Sequence, residues 1–350
     1  SYDEYDSMAT FYKNDFQRFI EYNVKDVELI SKLEDKMKLL ELAVSLAYAA
    51  KVNYMDVFGQ VRTWDCIIYH YLMEHNIVPP PKTTSKKDAQ YAGAYVKDPI
   101  VGMHDWVVSF DLNSLYPHLI MQYNISPETK IAQNKDYMIT PNGILDGGDR
   151  PKSALLKHKN KDYSVAANGT CYRKDFQGFL PALMEKLYKE RKMYKKKMIE
   201  CQKRQQAGEK NLEKDIAKYN NFQLVRKIQL NSAYGAIGNE WFRYFDVDMA
   251  EAITLSGQLS IRWIADKLNS FLNNTVGTED YDYVVASDTD SVYLRLGNLV
   301  DKVCGEKTKE EIVDFLNKAS EEILLPYIKK QYDELASLMN AYDNKMIMDR

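Results

Sequence analysis

The sequence predicts an α+β fold in which an antiparallel sheet is backed by helices and a helical hairpin is inserted between its strands. Two apolar runs typical of strands, at 106–110 and 283–286, are each followed closely by aspartate. Between them, residues 181–206 and 212–234 have the periodicity of two long helices, with a break at Gly208. At 1.5 Å of rise per residue, about 25 residues give each helix a length of about 40 Å. We therefore expect a sheet-floored cleft with a projecting helical flap.

The other elements follow from hydrophobic periodicity and turn residues. Three prolines at 79–81 and the polar stretch 82–87 mark the clearest boundary in the first half. Asn168-Gly169 is a two-residue hairpin signal between two short strand-like runs. The other predicted helices are 14–50, 59–75, 248–273 and 308–340, and 131–162 is expected to be irregular. A further strand is predicted at 91–97, and the strand that contains the run 106–110 is predicted to extend over 105–111.

The composition is that of a globular protein, large enough for one big domain or two to three modest ones. The 350 residues are 45% hydrophobic and 28% charged. The longest nearly apolar stretch, 39–50, is too short to span a bilayer, and the acidic N-terminus is unlike a secretory signal, so we expect no membrane partner. The four cysteines lie far apart without metal-ligand spacing, which suits a reducing compartment.

Charge is distributed unevenly along the chain. The net charge is −3, but residues 182–227 carry 14 Lys and Arg against 6 Asp and Glu, so this segment holds +8 and the rest −11. One strongly basic segment in an acidic body indicates a polyanionic partner met at one place. A solvated helical face is the alternative that charge alone leaves open.

The aspartates that follow the predicted strands indicate a metal site. Asp288 and Asp290 lie two residues apart at the turn of a short predicted hairpin, where like charges repel and aspartate is a poor strand residue. Asp111 follows the other strand. A divalent cation with oxygen ligands would remove the repulsion. An Asp-rich turn without a metal is the structural alternative.

Two groups of side chains on the predicted helical hairpin suit phosphate chemistry. Lys227, Asn231 and Tyr234 are spaced i, i+4 and i+7 and so share one helix face, while Arg191 and Lys195 form a cationic pair on the other arm. Cations placed in this way neutralise phosphate oxygens during phosphoryl transfer. Taken alone, any one of the cations Lys227, Arg191 and Lys195 fits an ordinary surface side chain better than a phosphate ligand.

Three motifs, in this order along the chain, point to a family. Asp-Leu-Asn-Ser-Leu-Tyr-Pro at 111–117, Lys-Ile-Gln-Leu-Asn-Ser-Ala-Tyr-Gly at 227–235 and Asp-Thr-Asp-Ser at 288–291 resemble motifs A, B and C of family B DNA polymerases. The segments 124–129 (Asn-Ile-Ser-Pro-Glu-Thr) and 238–244 are similar to those of the replicative polymerases of T-even-type tailed bacteriophages. The resemblance covers almost the whole chain.

The resemblance implies a polymerase palm with an inserted helical-hairpin fingers domain, preceded by a remnant of an RNase H-like exonuclease domain. The implied domains are 1–40, the C-terminal end of the 3′-5′ exonuclease domain; 41–90, a helical connector and N-terminal-domain return; 91–176, the first part of the palm with motif A; 177–239, the fingers with motif B; and 240–350, the second part of the palm with motif C, with the thumb absent.

The resemblance also implies roles for individual residues. Asp111 and Asp290 would be the catalytic carboxylates that bind two Mg²⁺ ions, with the Leu112 carbonyl as a further ligand, Asp288 as an accessory acid and Mn²⁺ able to substitute. The ions would activate the primer 3′-hydroxyl and stabilise the leaving pyrophosphate. The Tyr116 ring would leave no room for a ribose 2′-hydroxyl.

The substrates implied are dNTPs and primer–template DNA. The implied nucleotide-binding residues are Leu112, Ser114, Leu115, Tyr116, Arg191, Lys195, Lys227, Asn231 and Tyr234. The implied DNA-binding residues are Tyr91, Gly93, Ala94, Gly235 and Thr289.

An exonuclease motif is matched near the N-terminus. Tyr22 and Asp26 have the Tyr-x-x-x-Asp pattern of the third proofreading motif, in which Asp26 would bind a metal and Tyr22 would orient the attacking water. The chain begins without Met inside this segment and stops at Arg350, before the family's basic motif and thumb. We therefore expect a fragment without exonuclease activity, derived from a parent protein that has 3′-5′ proofreading.

Two positions depart from the family pattern. Ser287 stands where motif C usually has glycine, and His118 stands where motif A usually has a small residue. A serine fits this place in an ordinary extended backbone, so we expect φ < 0 at Ser287 and a regular hairpin that keeps Asp288 and Asp290 on one face.

The expected function is DNA-templated DNA synthesis in phage genome replication, in the cytoplasm of the infected bacterial host. A sliding clamp and replisome proteins would be partners of the full-length protein. A metal-dependent nuclease is a rival because paired carboxylates would serve it, but a nuclease has no use for a triphosphate clamp at Lys227. A DNA-binding fragment without catalysis is the non-enzymatic alternative, which intact acids at Asp111 and Asp290 oppose.

Overall fold

The structure is a computed structural model that describes residues 4–82, 90–133, 139–146 and 148–350. Its α-helices are α1 (Met8–Asn14), α2 (Phe16–Met37), α3 (Leu39–Ala50), α4 (Gln60–Glu74), α5 (Leu115–Tyr123), α6 (Pro141–Asp146), α7 (Asp149–Leu156), α8 (Phe179–Gln206), α9 (Glu213–Ile237), α10 (Val247–Val276), α11 (Gly297–Val303), α12 (Lys309–Ala319) and α13 (Leu325–Leu338). Its strands are β1 (Val96–Lys97), β2 (Val107–Leu112), β3 (Lys130–Gln133), β4 (Tyr163–Val165), β5 (Thr170–Arg173), β6 (Val284–Asp288), β7 (Ser291–Arg295) and β8 (Met348–Asp349). The predicted α+β class with antiparallel sheets is confirmed.

The main sheet has the strand order β1-β6-β7-β2-β8, and every neighbouring pair is antiparallel. Along β2, buried residues alternate with exposed ones, and Val108, Phe110 and Leu112 face the core. The long helix α10 contacts β6 and β7 and is buried along much of its length. One face of the sheet therefore packs on helices and the other faces solvent, as is common for antiparallel sheets.

A smaller sheet, β3-β5-β4, contains the predicted Asn168-Gly169 hairpin. Gly169 has φ 80°, the left-handed conformation that such a turn needs. The prediction that 131–162 is irregular is wrong in part, because β3 continues to Gln133 and the helices α6 and α7 follow. Pro141 opens α6 at a position where a missing backbone N–H costs little, so its presence does not argue against a helix.

The helices α8 and α9 form the predicted antiparallel hairpin, and Gly208 has φ 99° in the connection between them. A loop after α5 holds the start of α8. Glu128 Oε1 accepts a 2.6 Å hydrogen bond from the Phe179 amide, and Ser126 Oγ accepts one of 3.3 Å from the Leu180 amide. These bonds satisfy amides that a helix N-terminus leaves without intrahelical partners.

Three predicted elements differ from the structure in their length or continuity. The single helix predicted at 14–50 is divided into α2 and α3, because Lys38 between them adopts a left-handed φ of 53°. Residue 14 belongs to the preceding α1, and Asp15 caps α2. The strand predicted at 91–97 is only the two residues of β1. The helix predicted at 308–340 contains a π-helical turn, Ser320–Leu324. Within the described part of the chain, no helix is both long and apolar enough to span a membrane.

Candidate active site

Four residues lie opposite one another across the solvent-facing side of the main sheet. Asp288 of β6 pairs with Ser291 of β7, Ser291 pairs with Asp111 of β2, and Asp111 pairs with Asp349 of β8. Directly opposed residues of antiparallel strands project their side chains to the same face. The sheet register therefore brings the carboxylates of Asp288, Asp111 and Asp349 to the same face at one end of the main sheet.

Asp290 joins this group from the turn between β6 and β7. Its carbonyl oxygen accepts a 2.8 Å hydrogen bond from the Leu112 amide, so motifs A and C are tied together through the backbone. Partial burial, and then the negative charges of Asp111 and Asp288, raise the pKa of Asp290 to about 6. Partial burial, and then Asp349, raise the pKa of Asp111. These acids are close enough to disfavour one another's ionisation.

The turn itself departs from ordinary geometry at Thr289. This β-branched residue has φ 54°, which is unusual outside glycine and asparagine, and its hydroxyl donates a 3.0 Å hydrogen bond to Asp288 Oδ1. Ser287 has a negative φ, as expected, and is buried with its Oγ lacking a hydrogen-bond partner among the described residues. The expected regular hairpin has a register shift between Val284 and Ala286.

The donor set suits a hard cation that is completed by a substrate. Across the described residues, no group of three or more Asp, Glu, His or Cys side chains is arranged so that it could hold a metal ion. Mg²⁺ usually binds through one or two carboxylates plus substrate phosphates and water rather than in an all-protein cage. Partial burial is the main cause of the raised pKa values of Asp290 and Asp111, and a cation bound beside these acids would favour their ionised forms.

An aromatic cluster lies next to the acids. The Tyr116 ring, in the first turn of α5, is 4.7 Å from the Tyr234 ring of α9 between ring centres. The Tyr234 hydroxyl donates a 3.3 Å hydrogen bond to the Tyr91 hydroxyl. Behind Tyr116, Gly257 of α10 allows close approach, because a methyl group there would lie 3.3 Å from Tyr116 Cε1. Burial raises the pKa of both Tyr116 and Tyr234, so both phenols remain neutral near pH 7.

The residues predicted to contact DNA lie around this cluster. Gly93 accepts a 2.7 Å hydrogen bond from Gln258 of α10, and the Thr289 amide donates to the Tyr95 carbonyl at 3.0 Å. Ala94 is exposed between them. A side chain at Gly235 would require the end of the Gln60 side chain to move, because Gln60 Oε1 lies 2.6 Å from the position of a methyl group there.

A basic cleft of 480 Å³ opens between α8 and the end of the main sheet. Arg191 and Lys195 line it together with Asn113 and Asp349. Arg191 Nη1 donates a 3.2 Å hydrogen bond to Ser114 Oγ, while its Nε is buried without a hydrogen-bond partner in the described part of the chain. Arg191 therefore retains donor capacity for an anion in the cleft.

The remaining predicted residues are distributed less compactly. Lys227 and Asn231 are exposed on α9 and do not line the 480 Å³ cleft. Leu112 and Leu115 are buried. Tyr22 and Asp26 lie one turn apart on α2, where the Tyr22 ring packs edge-on against Phe11 at 6.0 Å and Asp26 is exposed.

Sequence reasoning missed several residues of this site. Asp349 reaches Asp111 only through strand pairing, and its carboxylate accepts a 2.7 Å hydrogen bond from Asn113 Nδ2. Tyr188 lines the basic cleft one turn before Arg191. Gly257 lies inside a helix, where glycine is unfavourable by about 1 kcal/mol relative to alanine, and this was the one signal the sequence offered.

Mixed antiparallel sheets and helices, with acids at the strand ends beside a basic helical hairpin, are consistent with a polymerase fold. The chain belongs to DNA polymerase family B, whose profile matches residues 55–331. It is similar to the DNA-directed DNA polymerase of Escherichia phage RB69, with 34% identity over 97% of the chain, and to that of Enterobacteria phage T4, with 34% identity over 95%. The DNA polymerase of Paramecium bursaria Chlorella virus NY2A is 31% identical over 81% of the chain and 29% of its own length.

The matches cover only part of each relative. The chain spans 41% of the length of the RB69 and T4 polymerases.

Proposed function

We propose that this chain is the nucleotidyl-transfer core of a DNA-templated DNA polymerase that adds dNTPs to a primer 3′-hydroxyl. The observation that carries the proposal is the proximity of Asp111 and Asp290 at the end of the main sheet, where the Leu112 amide donates to the Asp290 carbonyl and the charge of Asp111 raises the pKa of Asp290. The cleft lined by Arg191 opens at the same end of the sheet. Acids that hold a hard cation and bases that hold phosphates are the two components that phosphoryl transfer requires.

In this proposal the main sheet is the palm and the α8–α9 hairpin is the fingers. The boundaries at 91–176, 177–239 and 240–350 are supported by the positions of the sheets and the hairpin along the chain. Residues 1–40 and 41–90 are proposed as the end of an exonuclease domain and a helical connector. Genome replication of a phage in its host's cytoplasm, and contacts with a clamp and replisome, are proposed by analogy with the phage relatives.

Asp111, Asp290 and the Leu112 carbonyl would hold two Mg²⁺ ions, with Asp288 nearby. When bound, the ions supply charge neutralisation and activation of the attacking hydroxyl. Arg191 and Lys195 would hold the triphosphate from α8, and Lys227 would reach it from α9 on closure of the hairpin. Such closing motions are common in enzymes of this kind of chemistry.

The aromatic cluster would bind the nucleoside and the template. The Tyr116 ring, held between Tyr234 and Gly257, would form the floor under the sugar. Ser114 and Leu115 would support it, while Asn231 and Tyr234 would line the nascent base pair. Tyr91, Gly93, Ala94, Gly235 and Thr289 are the proposed DNA contacts.

Primer extension with Mg²⁺ and dNTPs tests the proposal. The unaltered chain should extend a primer, and Asp290→Ala should lower the rate by about 10³-fold or more, because a metal-binding carboxylate is lost. Asp314→Ala removes an exposed acid of α12 and serves as the matched control. Retention of near-normal turnover by Asp290→Ala would overturn the assignment.

Lys227→Ala distinguishes synthesis from the nuclease alternative. In a polymerase this change should weaken nucleotide incorporation, because the lost charge acts on the triphosphate. A metal-dependent nuclease would degrade DNA without dNTPs and would be indifferent to Lys227→Ala. A catalytically inactive DNA-binding fragment would bind the duplex without extending it.

A further inference from the structure

His118 occupies a buried position between the motif A segment and the helical hairpin. It lies one turn into α5 with only 3% of its surface exposed. Its ring packs edge-on against Tyr188 of α8, with 4.4 Å between ring centres and an interplanar angle of 87°. A small side chain at this place would leave α5 and α8 without this contact.

The imidazole also makes a polar contact to the residue that binds Arg191. His118 Nδ1 lies 3.0 Å from the Ser114 carbonyl oxygen, and the His118 amide donates to the same oxygen at 3.1 Å. A carbonyl only accepts hydrogen bonds, so Nδ1 must carry the proton. Ser114 has a left-handed φ of 47°, a conformation that is unfavourable for residues other than glycine and so benefits from such support.

Both partners of His118 lead to Arg191. Ser114 Oγ accepts the hydrogen bond from Arg191 Nη1 at 3.2 Å. Tyr188 precedes Arg191 by three residues on α8, so the two side chains share a helix face, and both line the basic cleft. His118 thus contacts two residues that bear on the position of Arg191: Ser114 in the motif A segment and Tyr188 in the helical hairpin.

We propose that His118 is a positioning residue for the phosphate-binding side of the cleft, acting on Arg191 through Ser114 and Tyr188. It contacts no reacting group itself. The inference rests on the proposed function, since it assigns the cleft to the phosphates of the incoming nucleotide. It concerns a residue at which this chain departs from the usual small side chain of motif A.

Two variants separate the two contacts. His118→Asn retains an N–H group for the Ser114 carbonyl and lacks the ring, whereas His118→Phe retains a ring for Tyr188 and lacks the donor. His118→Ser removes both. His158→Asn is the matched control, because His158 is also buried, hydrogen-bonded (to the Tyr163 hydroxyl at 2.8 Å) and packed on an aromatic ring. Its partner Tyr163, unlike Tyr188, does not line the cleft.

The measurement is primer extension at saturating primer–template with the dNTP varied, together with thermal unfolding. His118→Asn and His118→Phe should each raise KM for dNTP by about fivefold with a smaller change in kcat, and His118→Ser should raise KM further. His158→Asn should lower the melting temperature without changing KM. Equal KM values for the unaltered protein and all three His118 variants would overturn the proposal, even if the variants unfold at lower temperature.

A binding measurement keeps this test separate from the proposed function. Affinity for inorganic tripolyphosphate, measured by calorimetry, needs no turnover. If the unaltered protein binds tripolyphosphate but extends no primer, the proposed polymerase activity fails, and weaker binding by the His118 variants still supports the positioning role. If neither the unaltered protein nor any variant binds tripolyphosphate, the positioning role fails.

Discussion

The Leu112 amide donates a 2.8 Å hydrogen bond to the carbonyl oxygen of Asp290, although 178 residues separate these two positions in the sequence. This bond places the end of β2 beside the β6–β7 turn. It fixes Asp111, which precedes Leu112, relative to Asp290 through backbone atoms, which are stiffer than side chains. The spacing of the acidic site is therefore a property of the sheet register.

Ser287→Ala should stabilise the protein. The Ser287 hydroxyl is buried and lacks a hydrogen-bond partner among the described residues, so its removal relieves a desolvation cost of about 1 kcal/mol. The measurement is the free energy of unfolding in urea. Ser164→Ala is the control, because the buried Ser164 hydroxyl donates to the Tyr123 carbonyl at 2.6 Å and its loss should destabilise. A loss of stability in Ser287→Ala equal to that in Ser164→Ala would contradict the prediction.

Features encoded locally could be predicted from the sequence. The β6–β7 hairpin, the Asn168-Gly169 turn and the break at Gly208 each depend on residues a few positions apart, and their types and places are confirmed. Lys38 was missed because a lysine carries no marker for a left-handed conformation, so one helix was predicted where the chain turns.

Contacts between distant segments could not be predicted in the same way. Asp349 joins the acids only because β8 pairs with β2, and two residues are too short a strand to show a period. The contact between His118 and Tyr188 depends on how α5 packs on α8. The separation of Lys227 from the Arg191 cleft depends on the angle between the hairpin and the sheet, about which helical spacing carries no information.

Tyr116→Ala should increase incorporation of ribonucleotides relative to deoxyribonucleotides by about tenfold or more, since a filled pocket excludes an added hydroxyl sterically. The ring is confined by Tyr234 at 4.7 Å and by Gly257 behind it. The measurement is the ratio of kcat/KM for dNTP and NTP. Tyr116→Phe retains the ring and should keep the discrimination. If the Ala and Phe variants discriminate equally well, the ring is not the barrier.

Glu190 and Arg226 should be energetically coupled. Arg226 Nε donates a 2.6 Å hydrogen bond to Glu190 Oε2 across the α8–α9 hairpin, and both side chains are largely shielded from solvent. A double-mutant cycle with Glu190→Gln and Arg226→Gln should give a coupling free energy of about 1 kcal/mol in urea unfolding. The exposed pair Lys196–Glu200 at 3.9 Å is the control and should give clearly less. Equal coupling in the two pairs would show that shielding is unimportant.

Asp290→Asn should remove a pH-dependent loss of stability. Partial burial and the charges of Asp111 and Asp288 raise the folded-state pKa of Asp290 to about 6, above the ordinary value of 3.8. Folding therefore favours the protonated acid: its stabilising contribution is complete below the ordinary value and is lost as the pH rises through about 6. The difference in unfolding free energy between the variant and the unaltered protein, measured in EDTA, should move in favour of Asn as the pH rises from 3.8 to about 6 and should change little above that.

Mg²⁺ should stabilise the folded protein when Asp290 is ionised, and so offset the loss of stability at higher pH. Above the raised pKa, a cation at Asp290 balances the charges that destabilise the metal-free protein, and binding to the folded state adds stability by mass action. Adding Mg²⁺ at pH 7.5 should stabilise the unaltered protein more than Asp290→Asn, with Asp314→Asn behaving like the unaltered protein. Equal stabilisation of all three proteins would place the cation elsewhere. The pH prediction for the same residue has its own contradicting outcome. If the difference in unfolding free energy between Asp290→Asn and the unaltered protein does not change with pH, the pKa of Asp290 is not raised in the folded protein.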